Sequence, residues 1–407
     1  MIPLGGMKDR KKCEGAMNKR WTIGRRLVIA LLSLSLLPMG LTGYLALKNV
    51  RRMGNLSIED LSKAGALASK ESAKALEDQA KESLMQLAKD KAEIVNLTLS
   101  KIQNHTYYAA RVAASLFDNK QAYRIKWNPF RYVLDARGVL GTSEPSDHKE
   151  RSQVWVNNRT PVTHGIKETL AISEHLDVVY RAIKERHPDT AWIYTIFENG
   201  VDRTYPWFSN DNIAMPSWDP RSRAYYTGAN QVNNPLKEAV WINPYQDVFG
   251  RGWMVTCSVP LYTKAGRFLG VQANDITLDS LVNTVLSIKI KKTGYAFLLS
   301  RDGHTIAFPS QADKDLRWEG TKNQASYNLL ETPQREFIGL VQGMVSGKSG
   351  MGSVILSNTV KYVAYAPIKT TGWSMGVVVP RDEIVQPVIA TTKRIGGYIE
   401  ALGNDRD

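Results

Sequence analysis

Apolar positions follow different rhythms along this chain, and each rhythm predicts a different kind of element. From Leu27 to Leu47, twenty-one consecutive residues carry no charge. As a helix rising ~1.5 Å per residue, that run is long enough to cross a hydrocarbon layer of about 30 Å. Pro38 and Gly40 lie inside it, and membrane helices tolerate both. From Asn55 to Phe117 there is no proline, and Gly65 is the one internal glycine. Within that stretch Leu76, Ala80, Leu84, Leu87 and Ile94 step by four, four, three and seven, which lays them along one helix face. A helix of roughly 60 residues would span ~90 Å. Its apolar stripe needs cover, from a second copy or from a domain packed along part of it. The small residues Ala64, Ala68 and Ala75 offer a seam, so residues 50–118 are read as a stalk that joins two copies into a homodimer.

Beyond residue 118 the rhythm shortens to alternating runs broken by Pro and Gly. Ile172–Arg186 reads as a helix closed by His187-Pro188. Ala191–Glu198 reads as a strand, Asn199-Gly200 as a hairpin turn, and Val201 as the start of the returning strand. Trp253–Tyr262 and Phe268–Ile276 form a further pair around Lys264-Ala265-Gly266. Residues 286–386 repeat the plan on a smaller scale. There Gly294–Ser300 and His304–Phe308 flank Arg301-Asp302-Gly303, and Val360–Pro367 and Trp373–Val379 flank Thr370-Thr371-Gly372. The expected fold is α+β: an N-terminal transmembrane helix, a long α-helix, then two tandem modules with antiparallel sheets. The expected divisions are 1–26, 27–47, 50–118, 119–285, 286–386 and a C-terminal tail, 387–407.

Charge sharpens the membrane reading. The formal net charge is +14, but residues 1–26 hold eight Lys/Arg against Asp9 and Glu14. That tail therefore supplies +6, and +8 is spread over the rest without a basic stripe or a nucleic-acid-binding motif, so no nucleic acid partner is expected. Eight cations precede the apolar run, whereas only Lys48, Arg51 and Arg52 follow closely. The N-terminus is therefore expected in the cytoplasm and everything beyond residue 50 outside. A cleaved signal peptide would have a shorter apolar core of about 7–15 residues and a small-residue cleavage site, so residues 27–47 are read as an uncleaved anchor. The two cysteines, Cys13 and Cys257, would lie on opposite sides of that membrane and make no disulfide framework. The six histidines are scattered without metal-ligand spacing, and neither metal nor cofactor is expected.

Candidate chemistry concentrates in Trp218-Asp219-Pro220-Arg221-Ser222-Arg223-Ala224-Tyr225-Tyr226. A guanidinium matches a carboxylate through two parallel N–H donors, and tyrosines supply rigid walls with a polar tip. Tyr245, Asp247 and Asp275 follow, and a buried carboxylate is the natural seat for an ammonium. The set Trp218, Arg223, Tyr225, Tyr226, Tyr245, Asp247 and Asp275 reads as a pocket for a small zwitterion. Arg221 reads as structural. Asp275, at a strand end, reads equally as the cap of the following helix. Trp207, Trp241 and Trp253 read as core, and no ligand is assigned to Tyr295, Asp302 or Trp373. Motifs of hydrolases, metalloproteases, P-loop enzymes, kinases and cyclases are absent from the sequence, so an enzyme is not expected.

Three phrases in this order resemble the double Cache domain, the extracytoplasmic sensor of bacterial chemoreceptors, histidine kinases and cyclic-nucleotide enzymes. They are DPRSRAYYTGA, NPYQDVFGRGWMVTCSVPLYTKAGRFLGVQANDI, and GYAFLLSRDGHTIAFP with VAYAPIKTTGWSMGVVVP. The resemblance spans nearly the whole chain. It implies a PAS-like, membrane-distal Cache module over 119–285 and a membrane-proximal one over 286–386. One branch of the family binds amino acids through an Arg, aromatics and a later Asp; by position these are Arg223, Tyr225, Tyr226, Tyr245 and Asp275. Trp218 stands where that branch has a Tyr, Tyr225 where it has a Trp, and Ala224 where it has a Pro, which alters the walls and keeps an amine or a carboxylate open as ligands. The resemblance further implies a single-pass protein of the bacterial inner membrane with its bulk periplasmic, sensing a small solute for chemotaxis or transmembrane signalling. A cytoplasmic output domain is expected to be separate or missing from this chain. The alternative is a membrane-tethered solute-binding or scaffold protein without signalling output of its own.

Overall fold

The computed structural model describes residues 58–386, except 124–125, 248, 287–289 and most of 310–326 (Ala312 and Asp315 are described), together with the isolated residues 43, 45 and 390. The tail 1–26, most of the apolar run 27–47 and most of the segment after 386 lie outside the described residues. Among the described residues no helix is long and apolar enough to cross a membrane. One compact unit, residues 73–393, carries both sheets.

Helix α1 runs from Ile58 to Asp118. Its buried seam runs through Leu84, Ala88, Ala92, Val95, Leu99, Ile102, Thr106, Ala109, Ala113 and Leu116, with Ala110 buried beside it, in steps of four and three. The expected stripe drifts off this line. Ile94 is 47% exposed while Val95 is fully buried, because continuing the +7 step from Leu87 follows a flank of the helix, not its core seam. The seam is covered by the chain's own sheets.

Two short strands, β1 (Tyr132–Leu134) and β2 (Leu140–Thr142), pair with each other, and β3 (Gln153–Trp155) follows. The single helix expected over 172–186 is two: α2 (His164–Ser173) and α3 (Leu176–Arg186). Glu174 and His175 stay in the αR region yet break the run. The Thr163 side chain caps the start of α2, accepting from Ile166 N, a signal the sequence reading passed over. Then come β4 (Thr190–Phe197), β5 (Asp202–Tyr205), a helical turn α4 (Ala224–Thr227), β6 (Val240–Gln246), β7 (Trp253–Tyr262) and β8 (Phe268–Thr277). They build a six-stranded antiparallel sheet in the order β3-β5-β4-β8-β7-β6. Gly200, at φ +94, closes the β4–β5 hairpin.

Helix α5 (Leu278–Leu286) leads to the second sheet. It contains β9 (Tyr295–Leu299), β10 (Thr305–Ala307), β11 (Gly350–Leu356), β12 (Thr359–Ile368) and β13 (Trp373–Pro380), ordered β10-β9-β13-β12-β11. Helix α6 (Arg335–Val345) packs on it. Neither α6 nor β11 was anticipated from the sequence. This mixed α+β build, with antiparallel sheets and a long leading helix, is the expected class.

Each sheet has two apolar faces. One face of both sheets packs on α1: Leu84 through Ile102 share a core with Val255, Cys257 and Ile276 of the first sheet and with Leu298, Ala364 and Met375 of the second. Further along, Ala109, Ala113 and Leu116 pack with Ile193, Phe197 and Val259 of the first sheet. Phe297, Phe337, Val341 and Val363 fill the second sheet's other face. On the first sheet the other face holds aromatic rings around a cleft.

Candidate functional site

Strand periodicity builds the floor of this cleft. On β8, Val271, Ala273 and Asp275 point away from α1, and on β4 Trp192 and Tyr194 do the same. Register places Asp275 between Trp192 of β4 and Thr256 of β7. Asp275 is 3% exposed. It accepts hydrogen bonds from Thr256 Oγ1 at 2.7 Å, Tyr194 OH at 3.0 Å and Tyr245 OH at 3.0 Å. Burial pushes its carboxyl up to about 7, against the pull of those three hydroxyls. It therefore does not cap α5; Thr277 Oγ1 accepts from Ser280 N there instead.

The roof is the segment centred on Arg223. Asp219 accepts from Arg221 N at 2.9 Å and opens a 3-10 turn at Pro220–Ser222. Arg221 is held by that same carboxylate, Nη2 to Oδ2 2.7 Å, and donates to the Glu198 carbonyl at 2.7 Å. Its fork is spent on structure. Arg223 sits at the N-cap of α4 in an extended conformation, half-buried, with its guanidinium at the Tyr225 hydroxyl. No ion-pair partner faces it among the described residues.

Eleven residues line the cleft, which encloses about 350 Å³ counting the part open to solvent. They are the expected Trp218, Arg223, Tyr225, Tyr245, Asp247 and Asp275, joined by Trp192, Tyr194, Asp202, Thr204 and Phe249. The sequence-derived residue left out is Tyr226, whose buried ring stands edge-on to Phe268 at 6.4 Å. Tyr225 meets Tyr194 edge-on at 5.6 Å and Tyr245 at 5.5 Å. Burial raises all three phenols well above their ordinary range. Trp218 packs edge-on to Trp155 at 5.8 Å. Trp207, Trp241 and Trp253 stay out of the lining.

Asp247 is a loop anchor. It accepts from Arg251 N at 3.0 Å and Trp192 Nε1 at 3.4 Å, while its own N–H donates to Gly252 O at 2.8 Å. Gly250 and Gly252, at φ +81 and +88, let this loop fold back and bring Phe249 onto Trp192 at 5.3 Å. The Arg251 guanidinium lies 3.7 Å over the same Trp192 ring.

Asp202 and Thr204, adjacent on one face of β5, were the sequence reading's main omission. A carboxylate within a short apolar hairpin was the available signal. Asp202 is 6% exposed, and burial pushes it up to about 7. Elsewhere, Cys257 is a buried free thiol that burial pushes up to about 12. Among the described residues no group of three or more His, Cys, Asp or Glu is placed to hold a metal ion.

A model of the Cache domain matches residues 72–388 of this chain. The methyl-accepting chemotaxis protein McpA of Pseudomonas putida is 29% identical over 238 residues, covering 57% of this chain and 33% of that protein. McpC of Bacillus subtilis is 27% identical over 168 residues, covering 41% of this chain and 22% of the relative. The chain thus spans about a third or less of the length of these curated relatives. Among solved structures, the ligand-binding domain of the Pseudomonas fluorescens chemoreceptor CtaA in complex with L-isoleucine is similar at TM-score 0.48 and 17% identity, over 77% of this chain and 97% of that one. The ligand-binding domain of the Pseudomonas aeruginosa amino acid chemoreceptor PctB in complex with L-Arg is similar at TM-score 0.46 and 17% identity, over 75% and 97%.

Proposed function

The chain belongs to the Cache domain family, and on that premise we propose that it is a membrane-anchored extracytoplasmic sensor that binds a small amino acid in the cleft of its first sheet. The observation that carries this reading is a guanidinium without an ion-pair partner among the described residues and a hydroxyl-cradled carboxylate in one aromatic-walled cleft. Arg223 takes the ligand carboxylate through its planar fork. Asp275 takes the ammonium, and the arriving positive charge favours its ionised form, offsetting the cost of burial. Tyr194, Tyr225 and Tyr245 wall the ligand, and Tyr194, Tyr245 and Thr256 hold Asp275 oriented.

In this account residues 27–47 anchor the chain with residues 1–26 in the cytoplasm. The first sheet's module lies membrane-distal, the second membrane-proximal, and both are periplasmic. Relatives named as chemotaxis proteins support a signalling role, with a cytoplasmic output domain as the signalling partner and a homodimer formed through α1. Strand β6 links the cleft to the rest of the unit. Tyr245 reaches Asp275, Trp241 Nε1 donates to Gln103 on α1 at 3.0 Å and its ring meets Trp373 of the second sheet at 5.7 Å, and Asn243 donates to Asp302 at 2.9 Å. A ligand that pulls Tyr245 therefore biases both α1 and the second sheet, to the extent that it binds one arrangement better than the other.

A thermal-shift screen of the purified chain against amino acids, amines and small carboxylates tests the reading. An amino acid at 100-fold its dissociation constant adds ~2.7 kcal/mol of stability, and the shift is expected to vanish in Arg223→Ala and in Asp275→Ala. Silence across the panel with folded protein, or a response that survives both substitutions, overturns it.

A further inference from the structure

Three carboxylates line the cleft against one guanidinium, Arg223, so with all three ionised a neutral zwitterion leaves two negative charges in excess. The three acids are not equivalent. Asp247 is spent on its loop, and Asp275 already accepts from three hydroxyls, which leaves room on its carboxylate for one further donor, the α-ammonium. Asp202 accepts a single hydrogen bond, from Thr204 Oγ1 to Oδ1 at 2.9 Å, which leaves Oδ2 without a donor among the described residues.

The neighbouring cations are committed elsewhere. Arg203, next in sequence, points through the sheet to Ser173 at 2.9 Å, Tyr132 at 3.0 Å and Asp177 at 3.4 Å. Arg221 is bound to Asp219. A carboxylate buried this deeply without a counter-ion either keeps its proton or receives a cation from outside.

We propose that Asp202 is a second cation subsite, and that the cleft selects basic amino acids: α-carboxylate on Arg223, α-ammonium on Asp275, side-chain ammonium or guanidinium on Asp202. This deepens the zwitterion reading and rests on it. Asp202 discriminates where Arg223 and Asp275 do not, since those two see groups common to every amino acid. The charged and titratable groups near Asp202 are Asp275, Asp219 and Tyr225, and Arg223 lines the same cleft. The two neighbouring carboxylates reinforce attraction for a cation, and the guanidinium opposes it.

L-lysine and L-norleucine share a backbone and a four-carbon side chain, and differ in the terminal ammonium. Calorimetric titration of the purified chain is expected to give lysine the tighter binding by roughly tenfold or more, the scale of a charge-assisted hydrogen bond. Asp202→Asn should erase that preference, bringing lysine to the affinity that norleucine has in the same variant. In the unsubstituted protein the lysine-to-norleucine ratio should fall between pH 8 and pH 5.5, because a proton competes with the lysine ammonium. If Asp202→Asn fails to fold, this pH series decides alone: a constant ratio overturns the inference. Equal binding of the two amino acids, or a preference that survives Asp202→Asn, overturns it and leaves the zwitterion reading standing. Failure of both amino acids to bind overturns the inference, and the zwitterion reading falls with it only when the whole amino-acid panel is silent as well.

Discussion

Asp275 and Asp202 hold protons that an exposed aspartate would release. Each starts from an ordinary value of 3.8 and is pushed up to about 7. Between those limits the folded chain binds more protons than the unfolded one, so their contribution to stability is greatest below pH ~4 and falls as pH rises toward 7. The denaturation midpoint of Asp275→Asn, measured relative to the unsubstituted protein, is therefore expected to climb from pH 4.5 to pH 7.5; a flat difference would contradict the buried-carboxyl assignment. A second expectation concerns the tyrosine pair. Tyr226→Phe should leave ligand affinity within about twofold, whereas Tyr245→Phe removes a hydrogen bond to Asp275 and should weaken binding severalfold, since such a bond contributes about 0.5–1.5 kcal/mol. Titrating the two variants side by side checks it. Arg223, Tyr225, Tyr245 and Asp275 were legible because their residue types announce polar recognition beside turn signals. Asp202, Tyr194 and Trp192 were not, because their place in the cleft depends on strand register. Asp202 stands opposite Ile196, and a slip of one residue would turn it to the other face.

Among the elements, α1 gives the clearest contrast. Leu99 is fully buried at 0% exposure and packs against both sheets, while Ile94, five residues earlier, is 47% exposed. Leu99→Ala is expected to cost about 2–5 kcal/mol and Ile94→Ala within about 0.5 kcal/mol, read as urea midpoints of the purified chain. Equal effects would contradict the seam described here. The existence of the long helix was legible from its composition and its lack of proline. Its seam was less so, because a five-residue sample does not fix the drift of a helix relative to its core. Likewise the break at Glu174-His175 carries neither Pro nor Gly, so nothing in the local sequence marked it. Strand β11, GMGSVIL, was missed because its glycines weaken any strand signal and its place comes from pairing with β12. Pro244 lies within β6, where the register with β7 shifts between Ile242 and Tyr245. That irregularity fits a proline on an edge strand, where a missing N–H costs no ladder bond.

For the molecule as a whole, the two sheets share one helix and differ in what covers the far face. The first carries the cleft. On the second, Lys361 Nζ lies 2.6 Å from both Asp315 oxygens and Tyr295 OH donates to Asp315 at 2.7 Å, so an internal ion pair already occupies the polar end of that face. One ligand per chain is the expectation. Calorimetric titration of the purified chain with the strongest amino acid from the screen tests the central claim most directly, with Arg223→Ala and Asp275→Asn measured alongside. A single site per chain is expected, with affinity lowered roughly tenfold or more in each variant. Two sites per chain, or a titration unchanged by both substitutions, would place recognition elsewhere and contradict it.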